Sequence, residues 1–378
     1  MINLKNQKFN LIKFVEVLFY TFPLSFIAGN LILSIHLVLF IIISTILIKK
    51  EKIPFEFKFI HWLLVTFFLY IFISTLIQFQ IPGFLNEKTK DWPFESHPIF
   101  KSIILIRYLI LIFIVSILYE KKIIKLEKLF LFSLVCTSFV SVDIIYQYFN
   151  GADLFGYPNA IDRNSGPFGD ELIAGSYLLK FSFFSFFALL TFRKKIKYIN
   201  FFFIIIIAFH SLAITLAGNR MPLILFLFGC FLIFIFIKNF RFIISLGMIS
   251  FLALFIGLMN YDKNFGHTYK SFLSEINILE HIKVDKNKNE KSRLETQENK
   301  NEPILQGRRS TENILLRASG HRSIFETSIW VWKMRPLTGF GLKSFRVKCW
   351  DILTMIKNNV FGKEANMNCA THSHNYYL

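Results

Sequence analysis

Residues 30–52 read NLILSIHLVLFIIISTILIKKEK, an uncharged apolar run from Leu31 to Ile48 closed by Lys49, Lys50 and Lys52. A helix needs about 17 to 25 predominantly apolar residues to cross a hydrocarbon core, so this run spans a bilayer and stops where the membrane meets water. The pattern recurs along the first two-thirds of the chain. Spans are expected near Leu11 to Ala28, Leu31 to Ile48, Phe59 to Ile77, Ile103 to Tyr119, Leu129 to Phe149, Tyr177 to Phe192, Ile199 to Ala217, Met221 to Ile237 and Phe242 to Met259. The expected fold is therefore an all-α polytopic membrane protein with about nine transmembrane helices in residues 1–259, and its first partner is the lipid bilayer. The first run is not a removable signal peptide, because no small-residue cleavage site follows it and a second span begins almost at once.

Composition agrees: 54% of the 378 residues are hydrophobic, 48 are Phe, and the mean hydropathy is +0.49, which together exclude an ordinary soluble domain. The formal charge of +18 does not imply nucleic acid. Its Lys and Arg residues sit in short groups between apolar runs rather than along one amphipathic face. With nine alternating spans, Lys49 to Lys52, Lys121 to Lys128, Arg193 to Lys197, and Lys238 with Arg241 all fall on one side. The opposite loops are mixed or acidic, with Glu87, Asp91 and Glu95, then Asp153, Asp162, Asp170 and Glu171 around a single Arg163. Because short cytoplasmic loops carry the Lys/Arg excess, the N-terminus is expected inside and residues 260–378 outside, as one long periplasmic loop with short helices. Its stretch 280–303 is polar and too poor in apolar residues to fold alone, whereas 313–378 has the pattern of a packed subdomain. There Phe325, Ile329 and Trp332 recur at helical spacing before Pro336.

Few residues here can carry chemistry. Arg220 follows Ala217, Gly218 and Asn219 between two spans, which suits either a snorkelling interfacial arginine or a guanidinium facing a phosphate. Arg107 lies inside a span, where ionisable groups are costly and face a partner or a cavity; Asp143 is one partner, an anionic ligand another. Arg322 and Glu326 stand four apart, the spacing of a helix salt bridge. Gly339, Phe340 and Gly341 resemble the start of a dinucleotide fingerprint, without a preceding strand or a third glycine. His372 and His374 have no accompanying set of zinc-type ligands, so no metal is expected, while a histidine near neutral pH suits removal of a proton from a hydroxyl. Cys136 and Cys230 fall within spans, whereas Cys349 and Cys369 share the outer loop, an oxidising compartment in which they are expected to pair.

Taken in order, RNSGPFGDELIAGSYL (residues 163–178), AGNR (217–220), HRSIFETSIWVWKMRPLTGFGLKSF (321–345) and HSHNYYL (372–378) resemble the O-antigen ligase and O-antigen polymerase superfamily of glycan-transferring membrane enzymes. The likeness covers roughly the second half of the chain. It implies His374 as the base and Arg220 and Arg322 as pyrophosphate-binding arginines; Arg107, from its place in a span, is a third candidate, and His372, Asn375, Glu326 and Arg163 are candidates for support. It also implies an undecaprenyl-pyrophosphate-linked glycan as donor, a hydroxyl of lipid A core or of a growing glycan as acceptor, and no cofactor. The ligase pattern continues beyond its outer-loop histidine into further spans, so the chain is expected to be a fragment lacking them. Two other classes stay open at this point: a polysaccharide transporter or flippase, and a noncatalytic partner in surface polysaccharide assembly.

Overall fold

The structure, a computed structural model, describes residues 2–80, 97–160, 163–192, 198–276, 322–345 and residue 349. Its regular elements are helices: α1 (Ile2–Tyr20), α2 (Phe22–Ile27), α3 (Asn30–Lys50), α4 (Phe59–Gln80), α5 (Pro98–Glu120), α6 (Leu126–Asn150), α7 (Ala174–Phe192), α8 (Ile199–Leu216), α9 (Arg220–Phe236), α10 (Arg241–Tyr261), α11 (Lys263–Ile276) and α12 (Arg322–Met334). Among the described residues seven helical stretches are long and apolar enough to cross a membrane: Asn30–Lys50, Phe59–Ile77, Pro98–Glu120, Leu126–Asn150, Ala174–Phe192, Ile199–Leu216 and Lys238–Tyr261.

Two of the nine expected spans depart from that set, each for a local reason. The run from Leu11 to Ala28 breaks after Tyr20, and α2 is a separate helix of 6 residues with Pro23 in its first turn. Proline brings no N–H to the ladder, and its ring clashes with the preceding turn, so one helix cannot run through it. The run from Met221 to Ile237 forms α9, which has only 17 residues. At 1.5 Å per residue it covers roughly 26 Å of a core about 30 Å thick.

α3 shows why water is the wrong solvent for these helices. Leu37, Phe40, Ser44 and Leu47 are buried, yet Leu31, Ile35, Ile42 and Ile46 on the other side are each about half exposed or more. A helix apolar all round is stable only where lipid covers its outer side, and its backbone polar groups are satisfied within the helix itself.

Two compact units emerge, and they do not follow the chain order. The first joins Met1–Glu56 to Ile110–Gly266. In it α1, α3 and the end of α5 share a core of Val15, Leu18, Phe19, Phe40, Leu47, Ile114 and Leu118. α6 packs on α7 and α8, and α8 on α10. Their contact sides use small residues, among them Ser133, Thr137 and Ser141 on α6, Ser182, Ser185 and Ala188 on α7, and Ala208 and Ser211 on α8, which let backbones approach closely. At Gly247 of α10 an added Cβ would stand 2.9 Å from Cβ of Ile207, so glycine sets that crossing. The helices alternate in direction. Lys49 to Lys52, Lys121 to Lys128 and Lys238 with Arg241 lie at one end of this unit, and the connections after α6, α8 and α10 at the other.

The second unit joins Phe57–Leu109 to His267–Leu378. Among its described residues are α4, the first half of α5, α12 and the turn that follows α12. α12 ends at Met334, just before Pro336, as the sequence suggests. Its buried side is not the expected one. Ile324, Thr327, Ser328 and Val331 are buried, while Trp332 is 45% exposed. The small hydroxyl residues allow close packing, and Trp330 and Trp332 turn outward, where indole rings suit a membrane–water boundary.

The first unit ends in a sharp corner. Asp262 has extended backbone angles and caps α11, its Oδ1 accepting from the N–H of Asn264 (2.9 Å) and Phe265 (3.3 Å). The hydroxyl of Tyr148 donates to the other carboxylate oxygen. That hydrogen bond is the main force holding the Asp262 carboxyl below its ordinary range; desolvation opposes it, and the Phe265 and Asn264 N–H groups add to it. A carboxyl depressed in the folded state contributes stability above its ordinary pKa of about 3.9 and loses it as pH falls through the lower folded value. Hydrogen exchange at the Asn264 and Phe265 amides should accelerate only below about pH 4, and Tyr148→Phe should move that onset to higher pH. An onset unmoved by the substitution would contradict the assignment.

Candidate functional site

The end of the first unit opposite the lysine-rich end is built by a connection that folds back into the helices. After α6, Gly151 takes a left-handed conformation (φ 78°) that ends the helix. A small hairpin follows, closed by Asp153 N–H to Tyr157 O (2.9 Å) and Asn159 N–H to Gly151 O (2.9 Å). Asp153 turns the hairpin by accepting at Oδ1 from the N–H of Phe155 (2.9 Å) and Tyr157 (2.7 Å). α6 supports it from below. Asp143 accepts from Leu154 N–H (2.8 Å), and Gln147 donates to Tyr157 O (3.2 Å) while accepting from Gly166 N–H (2.8 Å). Gly166 has φ 55°, and a Cβ there would stand 2.9 Å from Ile144, so the segment lies directly against the helix. Asn164 reaches the end of α8, donating to Leu216 O at 2.7 Å.

The cost of this arrangement is visible. Asp143, Asp153 and Asn164 are each at least 95% buried, and one oxygen of each has no hydrogen-bond partner among the described residues. Buried acceptors of this kind are destabilising unless something compensates them, and they concentrate where a protein has a task beyond folding. Among the described residues, no group of three or more His, Cys, Asp or Glu side chains has metal-holding spacing.

Arg220 stands at the same end. α8 stops at Leu216, Gly218 turns the chain with φ 73°, and Asn219 locks the turn by donating to Leu172 O at 3.0 Å. Arg220 is then the first residue of α9 and is exposed. Arg163 is exposed too, in the bridge that pairs Ala160 with Arg163. Glu171, on the approach to α7, accepts from Asn30 at 3.0 Å.

Deeper in the bundle, His210 joins three helices. It is fully buried, with Nδ1 3.2 Å from the Ser141 hydroxyl and Nε2 3.0 Å from that of Thr137, which lies 2.7 Å from Ser185. Thr137 also lies 2.8 Å from Ser133 O, so the imidazole and the three hydroxyls of Thr137, Ser141 and Ser185 form one hydrogen-bonded network across the helices. The sequence reading did not single out this network. Its signal is the i, i+4, i+8 spacing of Ser133, Thr137 and Ser141 on one side of α6.

In the second unit, the expected dinucleotide-like turn has a different use. Gly339 and Gly341 have φ of 62° and 81°, and the turn they make is hydrogen-bonded to α4. Tyr70 donates to Leu337 O and Ser74 to Thr338 O, while Thr75 accepts from Leu342 N–H at 3.1 Å. A Cβ on Gly341 would meet Thr75 Cα at 3.0 Å, so the second glycine is required by close approach of two backbones. Phe340 is buried, with the Arg335 guanidinium 5.0 Å above its ring. Arg107 lies on α5 with its guanidinium 4.9 Å over the Tyr108 ring, donating to the Tyr108 hydroxyl at 3.0 Å, and its Nε is buried without an acceptor among the described residues. Arg322 and Glu326 are one turn apart on α12. Cys349 is buried and disulfide-bonded, whereas Cys136 and Cys230 are free thiols. His372, His374, Asn375 and Cys369 lie outside the described residues. Thus Arg163 and Arg220 belong to one unit, and Arg107, Arg322, Glu326 and Cys349 to the other.

No family model, no curated protein and no solved structure matches the chain.

Proposed function

We propose that this multi-pass membrane protein transfers a glycan from a polyprenyl pyrophosphate carrier to an acceptor hydroxyl at the periplasmic face of a bacterial inner membrane, as an O-antigen ligase or polymerase does. The observation that carries the reading is the position of Arg220. A glycine turn and the Asn219 bond hold it at a helix start, at the end of its unit opposite Lys49 to Lys52 and Lys121 to Lys128. If the lysine-rich end is cytoplasmic, as loop charge favours, Arg220 faces the headgroup layer on the far side. A guanidinium there presents paired N–H donors to a pyrophosphate.

The chemistry needs little else. The acceptor oxygen attacks the anomeric carbon as His374 takes its proton, and the bond from that carbon to the pyrophosphate oxygen breaks. The carrier leaves as polyprenyl pyrophosphate, its developing charge met by Arg220; Arg322 and Arg107, which belong to the other unit, are the further candidates for that role. His372, Asn375, Glu326 and Arg163 are the candidates for supporting positions.

Deleting the gene in its host tests the reading. Loss of every long chain from the lipid core is the result expected of a ligase, and products carrying a single repeat are expected of a polymerase. Unchanged surface glycan would refute both.

A further inference from the structure

The corner at Asp262 leads into a helix that the transfer reading does not use. α11 begins one residue after α10, the last membrane-crossing helix among the described residues, so it starts at the membrane surface. It does not continue along the axis of α10. The Phe265 ring lies 5.7 Å from that of Phe255, ten residues earlier, and 6.1 Å from Tyr148. Ten residues of straight helix would separate the two phenylalanines by about 15 Å along the axis, so the chain folds back onto the end of the span. Gly266 makes this possible, since a Cβ there would stand 2.6 Å from the Met259 carbonyl oxygen.

The sequence of α11 is two-sided about this anchor. Phe265, Tyr269, Phe272, Leu273 and Ile276 follow i, i+4, i+7, i+8, i+11 spacing, one stripe of a helix. Lys263, His267 and Lys270 fall opposite and are exposed. The first residue of the stripe, Phe265, is buried, its ring against Phe255 two turns below the end of α10.

We infer that α11 is an interfacial helix that lies in the plane of the bilayer, with its apolar stripe among acyl chains and Lys263 and Lys270 bound to anionic phospholipid headgroups. Phe265 anchors the start of the stripe on Phe255 and Tyr148, and because α11 starts at the end of a membrane-crossing helix, acyl chains are the apolar partner within reach of the residues that follow. The two exposed lysines supply the charge complement to phosphate; the one acidic residue of the helix, Glu275, comes near its other end.

The test uses the whole chain in nanodiscs of phosphatidylcholine with or without phosphatidylglycerol. Nitroxides are placed singly by Tyr269→Cys, Phe272→Cys, Leu273→Cys, Lys263→Cys, His267→Cys and Lys270→Cys, with the unsubstituted chain as labelling background. Oxygen accessibility should exceed that of a water-soluble nickel chelate at 269, 272 and 273, and the order should reverse at 263, 267 and 270. Exchange with spin-labelled phosphatidylglycerol should exceed exchange with spin-labelled phosphatidylcholine by about fivefold per lysine, and Lys263→Gln with Lys270→Gln should abolish the difference. Nickel access on both sides would place the helix in water. Low access to both reagents along the stripe would mean that protein, including a second copy of the chain, covers it. Equal exchange with the two lipids would remove the headgroup claim. Each of these overturns the inference.

Discussion

Arg220→Ala is expected to abolish glycan transfer while leaving the protein inserted and abundant. Removing one charge-stabilising donor from a transfer site typically costs about 10²- to 10³-fold in rate. The residue is exposed at a helix start, and the turn before it is held by Gly218 and Asn219 rather than by the arginine itself. Arg220→Lys should recover little of the loss, because an ammonium is a point charge and cannot offer two parallel N–H groups to one phosphate. His374→Ala should cost about 10²- to 10⁴-fold through loss of the base, with His372→Ala milder. The measurement is single-turnover transfer from a pyrophosphate-linked donor, with protein level and thermal midpoint followed in parallel. Near-normal transfer by Arg220→Ala would remove the observation on which the proposed function stands.

Gly341→Val should release the turn after α12 from α4. Valine at φ 81° is strained, and its Cβ would sit 3.0 Å from the Thr75 backbone, which cannot move without bending α4. The strained angle and the lost seating together should cost about 3 kcal/mol locally, and Gly341→Ala about half as much. The Leu342 amide reports it directly, since its N–H bonds to the Thr75 hydroxyl. Its hydrogen exchange should accelerate by about two orders of magnitude in Gly341→Val. Exchange as slow as in the parent chain would show that the glycine is dispensable.

How much of this was legible in the sequence depends on the range of the forces involved. The apolar runs predicted membrane helices correctly because crossing a bilayer is decided within about twenty residues. Pro23 breaks one run for an equally local reason, and the sequence carried that signal too. The sequence places Arg220 after Ala217, Gly218 and Asn219 between two spans, and Gly218 and Asn219 make that junction a turn. α12 lies where the sequence places it, but apolar spacing favoured Trp332 for the buried side, which is instead formed by Ile324, Thr327, Ser328 and Val331. In a membrane protein large aromatic residues also suit the outside, so hydrophobicity no longer separates inside from outside.

The hairpin after α6 was not legible at all. Asp153 and Asn164 look like ordinary loop residues, and nothing nearby in sequence indicates that they are buried beside Asp143 and Gln147. The glycines at 339 and 341 suggested phosphate binding, whereas their partners are Tyr70, Ser74 and Thr75, more than 260 residues away in the chain.

The bond from Asn164 to Leu216 sets a timetable for biosynthesis. The two residues are 52 positions apart, and the carbonyl that Asn164 needs terminates a helix made well after the hairpin. At 5–20 residues per second, ribosomes deliver it roughly 3 to 10 s later. Through that interval Asn164 lacks this acceptor, whereas the bonds of Asp143 and Asp153 to the hairpin join residues already made and do not wait for α8. Arrival of the end of α8 supplies the last partner of the segment. A nascent chain halted before Leu216 should therefore leave Asn164 open to a membrane-impermeant probe, and one extended through α8 should protect it.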